Sequence, residues 1–319
     1  MPLSPSSRRD FLRQLLGAGA LAATGLPSWA QTAPAPSAPG FRFAFLTDLH
    51  LMVDPSLRSD QGIAACLTAV EALNPRPDFI LVGGDLVHRA RDLTIAEAER
   101  RLNLFLKIWH DHTSLPAYWN FGNHDLVGTS NPADNPHDPH YGKGLFKDEF
   151  KLRNLFYSFD HQGWHFVILD DIKAVPGPAY IGELFPEELA FLRADLDAHR
   201  AMPTLICTHI PIVSNLPVAH QLAAHGGPPI GSTKNVICTN AADLQGDLPG
   251  HNIRAILCGH LHYYERNDLG GIPYINSGAV CGSYWKGPVQ DCPEGFGIAD
   301  LGGNGSFQYT YRPYGWKAA

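Results

Sequence analysis

Short runs of Val, Ile, Leu and Phe recur along the chain and stop abruptly at polar residues. They occupy 43–46, 79–82, 118–121, 165–169, 204–207 and 253–258. Apolar runs this short, bounded by glycine and polar residues, are the pattern of strands buried on both faces. Between several of them the period becomes that of an amphipathic helix, over 63–73, 95–110 and 186–199. The last opens with Pro186-Glu187-Glu188, where proline loses no helical hydrogen bond and acids suit the positive helix end. Strands alternating with helices predict an α/β fold whose helices cover the sheet faces. No repeat or linker interrupts the pattern after Gly40, so 41–319 reads as one domain. Two long segments, 126–145 and 214–249, show neither period, and loops of that length usually line a functional cleft.

Five of the six apolar runs lead straight into residues that can hold a cation. The first is followed by Thr47-Asp48-Leu49-His50, the second by Gly83-Gly84-Asp85 and the third by Gly122-Asn123-His124-Asp125. Thr208-His209 and Gly259-His260-Leu261-His262 follow the last two. In open α/β sheets, ligands collect beyond the carboxyl ends of the strands, so residues distant in sequence can converge there. The donors are oxygen and nitrogen without thiolate, a set suited to Fe, Mn, Zn or Co. Asp48 and His50 are two residues apart, as are His260 and His262, and extended backbone would aim both of each pair to one side. Asp85, a carboxylate, can bridge two cations. Gly84, Gly122 and Gly259 are expected to turn the backbone sharply into the site. A single histidine such as His209 would ordinarily be a packed or capping residue; the five blocks together point to a metal centre.

These blocks, in this order, resemble the calcineurin-like metallophosphoesterase superfamily over about residues 43–262. Tyr157-Ser158-Phe159, Tyr274-Ile275-Asn276-Ser277-Gly278 and the Asp-x-His block are similar to its bacterial cyclic-nucleotide and glycerophosphodiester phosphodiesterase branch. The Ser/Thr phosphatases carry glutamate where this chain has Asp125. Purple acid phosphatases place a metal-binding tyrosine at the position of His88, so a tyrosinate–iron colour is not expected here. The resemblance implies an αββα sandwich, two packed mixed β-sheets flanked by helices, with the metal site at the C-terminal strand ends. It implies one ion on Asp48, His50, Asp85 and His262, and a second on Asp85, Asn123, His209 and His260. These would be two divalent or trivalent ions (Fe, Mn, Zn or Co) about 3.5–4 Å apart, bridged by the attacking hydroxide. His124 would face the substrate as proton donor, with Asp125 orienting its ring.

The implied activity is hydrolysis of phosphate esters, with a small phosphodiester or cyclic nucleotide as substrate and a phosphomonoester as the alternative. A non-catalytic phosphate- or metal-binding protein on the same fold is the reading from another class, but no ligand and no His124 equivalent is missing. A zinc β-lactamase-type hydrolase would need a His-x-His-x-Asp-His run, which the sequence lacks. Arg89 and His140, with His137 and Tyr141, are candidates for substrate contact. Tyr284 and Trp285 are candidates for the pocket wall, whereas Trp109, Trp119 and Trp164 fall on core positions.

Apolar residues make up 45% of the 319 and charged residues 17%, enough for a full core. The formal charge is −7 from 24 basic and 31 acidic residues; without the first thirty residues it is 21 against 30, or −9. Such a chain has no general attraction to a nucleic acid backbone, and a bound phosphate must draw on local positive charge such as metal ions. The first thirty residues differ from the rest. Ser7-Arg8-Arg9-Asp10-Phe11-Leu12-Arg13, an apolar stretch over 15–26 and Ser28-Trp29-Ala30 resemble a twin-arginine export signal cleaved after Ala30. That stretch is too short for a membrane span, which needs roughly 20 residues. An Ala/Pro-rich linker over 31–40 follows. The expectation is a precursor handled by the twin-arginine export machinery and a periplasmic mature protein without a membrane span. The six cysteines lack Cys-x-x-Cys spacing. Cys207 and Cys258 fall in apolar runs as packed thiols, while Cys281 and Cys292 flank a Gly/Pro loop, as a small disulfide or two free thiols.

Overall fold

The computed structural model describes residues 40–131, 133–175, 179–216 and 233–318. The expected signal segment and residues 31–39 of the linker lie outside them. The first sheet contains β1 (Gly40–Leu46), β2 (Phe79–Gly83), β3 (Ala117–Asn120), β12 (Gly295–Gly302) and β13 (Phe307–Pro313) in the order β13-β12-β1-β2-β3. β1, β2 and β3 run parallel, with β12 and β13 added antiparallel. The second sheet contains β4 (Tyr157–His161), β5 (Trp164–Ile168), β8 (Thr204–Cys207), β9 (Ile253–Cys258), β10 (Glu265–Leu269) and β11 (Ile272–Asn276) in the order β10-β11-β9-β8-β5-β4. Its four central strands are parallel, and β4 and β10 are antiparallel edges. A separate ribbon pairs β6 (Ile172–Val175) with β7 (Ala179–Gly182).

Side-chain alternation decides how these layers stack. Phe41, Phe43, Phe45, Phe79 and Leu81 of the first sheet meet Phe166, Ile168, Leu205 and Leu257 of the second in one buried cluster. The Phe43 and Phe79 rings stack at 5.1 Å. The intervening positions Ala44, Leu46, Ile80 and Val82 face the other way, onto α1 (Ser59–Glu71) and α2 (Ile95–His112). Val167, Ile206 and Ile256 likewise face α4 (Pro186–Ala198) and α5 (Ala241–Asp247). The fold is therefore the expected αββα sandwich of two mixed sheets. Burial on both faces explains why the strands read as continuous apolar runs rather than alternating ones.

Helix ends follow local chemistry. The Thr94 hydroxyl accepts the Glu97 N–H at 3.2 Å and starts α2. Glu188 Oε2 accepts the Phe185 N–H at 3.2 Å, behind Pro186 in the first turn of α4. The first helix begins at Ser59 rather than 63, since Ser59 and Gly62 are part of its buried face.

The two segments read as irregular are partly ordered. Residues 126–145 contain a Val127–Gly142 bridge and the start of the short helix α3 (Gly144–Glu149). The Lys143 ammonium in this segment is buried in an ion pair with Asp170, just beyond β5. Of residues 214–249, the described part holds a 3-10 turn at Thr233–Asn235 and α5; residues 217–232 lie outside the description. All six cysteines are free, so the possible Cys281–Cys292 disulfide is not formed. Trp109 and Trp164 are buried core residues and Trp119 packs against the core, as expected. Among the described residues no helix is long and apolar enough to cross a membrane.

A buried histidine ties the second sheet to its helix. His165 on β5 donates from Nδ1 to Asp160 on β4 and from Nε2 to Asp195 on α4, both at 2.7 Å. Two carboxylate acceptors require both ring nitrogens to carry protons. Burial works against that charge, but Asp195 and Asp160 outweigh it and raise the His165 pKa above its ordinary 6.5. This stabilisation is fully present below about pH 6.5 and is lost as pH rises through the higher folded value. The Tm difference between the wild type and His165→Asn is therefore expected to be large at pH 6 and to shrink by pH 9 in thermal melts. A gap that stays constant would mean a neutral ring.

Candidate metal centre

The parallel strands of both sheets direct their carboxyl ends to one edge, and the loops that follow meet there. The His260 N–H, beyond β9, donates to Asp48 Oδ2, beyond β1, at 2.9 Å. His209 Nε2, beyond β8, lies 3.4 Å from Asp85 Oδ2, beyond β2. The expected extended geometry of the Asp-x-His pairs is not what aims them. Asp48, His50, Asp85, His260 and His262 all adopt left-handed backbone, with φ of 56°, 42°, 58°, 74° and 62°. Each costs about 1–2 kcal/mol relative to ordinary backbone, and such concentration of strain is typical of functional sites. The glycines also act differently from expectation. Only Gly84 needs a positive φ, at 106°. Gly122 is required because a Cβ there would sit 2.2 Å from Asp85 Oδ1 and 2.6 Å from the His209 ring.

The donor atoms form two groups that share one oxygen. Asp85 Oδ2 is 3.4 Å from His50 Nε2 and 3.4 Å from His209 Nε2. On one side, His50 Nε2 and His262 Nε2 are 3.1 Å apart, and Asp48 Oδ1 lies 3.3 Å from His262 Nε2. On the other side, His209 Nε2 is 3.2 Å from Asn123 Oδ1, and His260 joins Asp85 and His209 within 4.8 Å. All seven expected ligands are thus brought together. Tautomers support the same grouping. His209 Nδ1 donates to Gly83 O at 2.8 Å, His262 Nδ1 to Gly282 O at 2.6 Å and His260 Nε2 to Asn235 O at 2.7 Å. Each bond uses the ring N–H outward and leaves the lone pair of the other nitrogen facing the carboxylates. Asp48 Oδ1 is buried without any hydrogen-bond donor. An oxygen lone pair facing imidazole lone pairs in a buried site is the arrangement that a cation satisfies. The residues fit two such ions.

Burial alone would raise the Asp85 carboxyl. Protons on the facing rings, above all His209, whose pKa Asp85 raises against burial to about 9, reverse this and hold it well below the usual carboxylate range, and a cation entering the centre would displace that proton.

Asp125 departs from its expected role. It does not touch the His124 ring; its Oδ2 accepts the N–H groups of Asp85 and Gly122, both at 2.8 Å, and its Oδ1 those of Leu86 and Val87 at 2.9 and 3.2 Å. Burial and the Asp85 charge push its pKa up to about 7, but both oxygens are occupied as acceptors and the group is a carboxylate. It fixes the loop that carries Asp85. His124 is buried, which lowers its pKa against the pull of Asp85. Its Nδ1 accepts the Arg89 N–H at 3.0 Å, so its own proton sits on Nε2. His124 is therefore a hydrogen-bond donor at Nε2; to act as a full proton donor it would first have to take a second proton on Nδ1, in place of the Arg89 N–H.

A cavity of about 790 Å³ opens beside Asn123 and His124, with His88, Arg91, Tyr180, Tyr284 and Lys286 in its wall. Arg89 borders it, but its guanidinium pairs with Asp92 and is 57% exposed. Arg91, 21% exposed, has its Nε 3.8 Å from Asp92 Oδ1 and lies over the Tyr180 ring, 5.9 Å from its centroid. His140 is not at this cavity; it bonds Glu99 at 3.0 Å in a separate depression with Leu102 and Leu145. Nor do His137 and Tyr141 line it among the described residues. Tyr284 is in the wall as expected, whereas Trp285 is buried and donates to His50 O at 2.9 Å. Sequence reasoning missed Asp171, whose carboxylate accepts the N–H groups of His209 and Ile210 at 3.1 and 2.9 Å. The signal was available: Asp170-Asp171 follows the fourth apolar run, 165–169. It also passed over Arg91, Tyr180 and, as a contact, His88. Burial, with His124 alongside, pushes the His88 ring down to about 3, so it is neutral.

Residues 41–264 match the Calcineurin-like phosphoesterase family. A probable cyclic nucleotide phosphodiesterase of Rhodococcus erythropolis is 26% identical over 254 residues, covering 74% of this chain and 69% of the relative. The 3′,5′-cyclic adenosine monophosphate phosphodiesterase of Haemophilus influenzae is 24% identical, covering 76% of this chain and 77% of the relative. Among solved structures, a dimetal phosphatase from Danio rerio superposes with a TM-score of 0.59 at 16% identity, covering 86% of this chain and 97% of that one. A lupin purple acid phosphatase gives 0.55 at 16% identity, covering 88% and 53%. With the family matched over most of its length, this chain belongs to the calcineurin-like phosphoesterases and is a metallophosphoesterase, a hydrolase of phosphoric esters.

Proposed function

We propose that the protein is a phosphodiesterase that acts on a small nucleotide-type diester, such as a cyclic nucleotide, with two cations. Asp48, His50, Asp85 and His262 would hold one, and Asp85, Asn123, His209 and His260 the other. The observation that carries this reading is the single oxygen, Asp85 Oδ2, placed 3.4 Å from an imidazole nitrogen of each group. The chemistry such ions supply is positive charge for the phosphoryl oxygens and acidification of water to a nucleophile near neutral pH. Their identity is drawn from Fe, Mn, Zn and Co, on the donor types.

The chain's own groups do the rest. Asn123 and His124 adjoin the cavity, so a phosphoryl group resting against the centre meets the His124 Nε2–H. That donor stabilises charge developing on the leaving oxygen. Arg91, with Lys286 across the cavity, supplies local positive charge in an otherwise acidic chain. Tyr180 and Tyr284 offer flat apolar walls for a planar group such as a nucleobase. The diester preference is supported by the names of the relatives, which are 24–26% identical. Residues 1–30 support export through the twin-arginine pathway to the periplasm, with cleavage near Ala30 and a domain over 41–319.

Metal-loaded protein assayed with bis-p-nitrophenyl phosphate and a 3′,5′-cyclic nucleotide is expected to hydrolyse both, faster than p-nitrophenyl phosphate. Absence of turnover on all three contradicts the proposal, and a monoester preference corrects its substrate. His124→Ala should lower kcat on the diester by about 10²-fold or more with both ions retained. Arg91→Met should raise KM by about tenfold, equivalent to ~1.4 kcal/mol. Arg89→Met, which removes an exposed and already paired guanidinium, should change KM by less than about twofold. Equal effects of the two arginine variants would show that the wrong guanidinium has been assigned.

A further inference from the structure

Three of the four histidines in the candidate centre share one device. His209, His260 and His262 each direct the N–H that faces away from the centre to a backbone carbonyl, of Gly83, Asn235 and Gly282. His50 is the exception. Its Nε2 faces Asp85 Oδ2 at 3.4 Å and Asp48 Oδ1 at 3.8 Å, and its Nδ1 meets no carbonyl but His88 Nδ1, at 3.3 Å. A ring that offers a lone pair at Nε2 must carry its proton on Nδ1, and that buried proton needs an acceptor.

We infer, on the reading that cations occupy the centre, that His88 is a positioning residue for one of them, accepting the His50 Nδ1–H so that the Nε2 lone pair stays on the ion. His88 then carries its own proton on Nε2. A neutral imidazole does this without adding a third negative charge beside Asp48 and Asp85. It meets His50 at the outer nitrogen, and on this inference it serves that ring rather than an ion, although nitrogens of His50, His88 and His124 lie within 4.8 Å of one another.

The surroundings hold the ring for this task. It stacks on His124 at 4.9 Å with 25° between the planes, and meets Tyr284 and His50 edge-on at 5.1 and 5.2 Å. Its backbone N–H donates to Leu51 O at 3.1 Å, and Leu51 N–H donates to Leu86 O at 2.9 Å. The segment after β1, carrying His50, is thereby registered against the segment after β2, carrying His88. The geometry also sets His88 apart from a residue that merely fills space: its acceptor atom, not its bulk, is what His50 uses.

The test separates acceptor from bulk. Full-length chain stripped with chelator is titrated calorimetrically with Mn²⁺, as wild type and as His88→Asn, His88→Leu and His88→Phe. Asn places an amide oxygen near the position of Nδ1; Leu matches its size without an acceptor, and Phe keeps the ring without one. Leu and Phe are expected to bind two ions still, one with Kd raised about 10–100-fold and the other within about threefold, with Asn recovering most of the loss. Either Leu or Phe suffices for the comparison, should one of them not fold. Wild-type affinity in Leu and Phe, or an Asn variant as weak as Leu, would overturn the inference. Loss of one whole equivalent would make His88 a ligand and overturn it as well. A wild type that binds fewer than two Mn²⁺ would instead defeat the two-ion reading beneath it.

Discussion

The structure depends on keeping two buried carboxylates charged within a few ångströms of each other. Asp48 and Asp85 are almost fully buried, and one oxygen of Asp48 has no hydrogen-bond donor at all. Isolated buried charge is costly enough that proteins neutralise it by protonation, pairing or metal binding. Here the neighbours are imidazoles, and in three of them, His209, His260 and His262, the outward nitrogen is held by a carbonyl, which leaves the inward nitrogen free for an ion that displaces a proton. In the proposed two-ion arrangement Asp85 is the shared carboxylate, because one of its oxygens lies 3.4 Å from an imidazole nitrogen of each group.

Around that constraint the fold supplies position. Parallel strands in two stacked sheets end at one edge, and left-handed residues just beyond them turn the ligands inward. Further carboxylates never face the ions but hold the loops. Asp125 clasps the backbone N–H groups around Asp85, and Asp171 clasps those of His209 and Ile210. The backbone strain at Asp85 is thus countered by charge-assisted bonds to the same residue and its successors. Close approach completes the packing, since any side chain at Gly122 would strike Asp85 and His209.

Much of this was legible because buried parallel strands have a strong signature and because the ligands follow them directly. Residues 204–207 and 253–258 coincide with β8 and β9, and the other four runs fall within a few residues of theirs. The less regular signal lies in the edges. β10 and β13 are largely exposed, and β12 spreads its buried positions through three glycines, so none of them forms a clean apolar run. Within the centre, residue type revealed the donors but not the direction of each side chain. Asp125 reads in sequence as a partner for the His124 ring and Asp171 goes unread, yet backbone amides capture both. Arg89 and Arg91 are equivalent in sequence and both reach Asp92; only packing shows that Arg89 is 57% exposed while Arg91, 21% exposed, also lies over Tyr180. His140 follows the third block closely but is drawn off by Glu99. Such choices are made by long-range contacts, which no local pattern encodes.

The central claim is that the Asp85 carboxylate sits between two ions. Anomalous diffraction from crystals grown with Mn²⁺ tests it directly. The account predicts two peaks flanking Asp85 about 3.5–4 Å apart, one within bonding reach of His50 and His262, the other of Asn123 and His209. A single peak, or peaks that leave Asp85 uncoordinated, would contradict it.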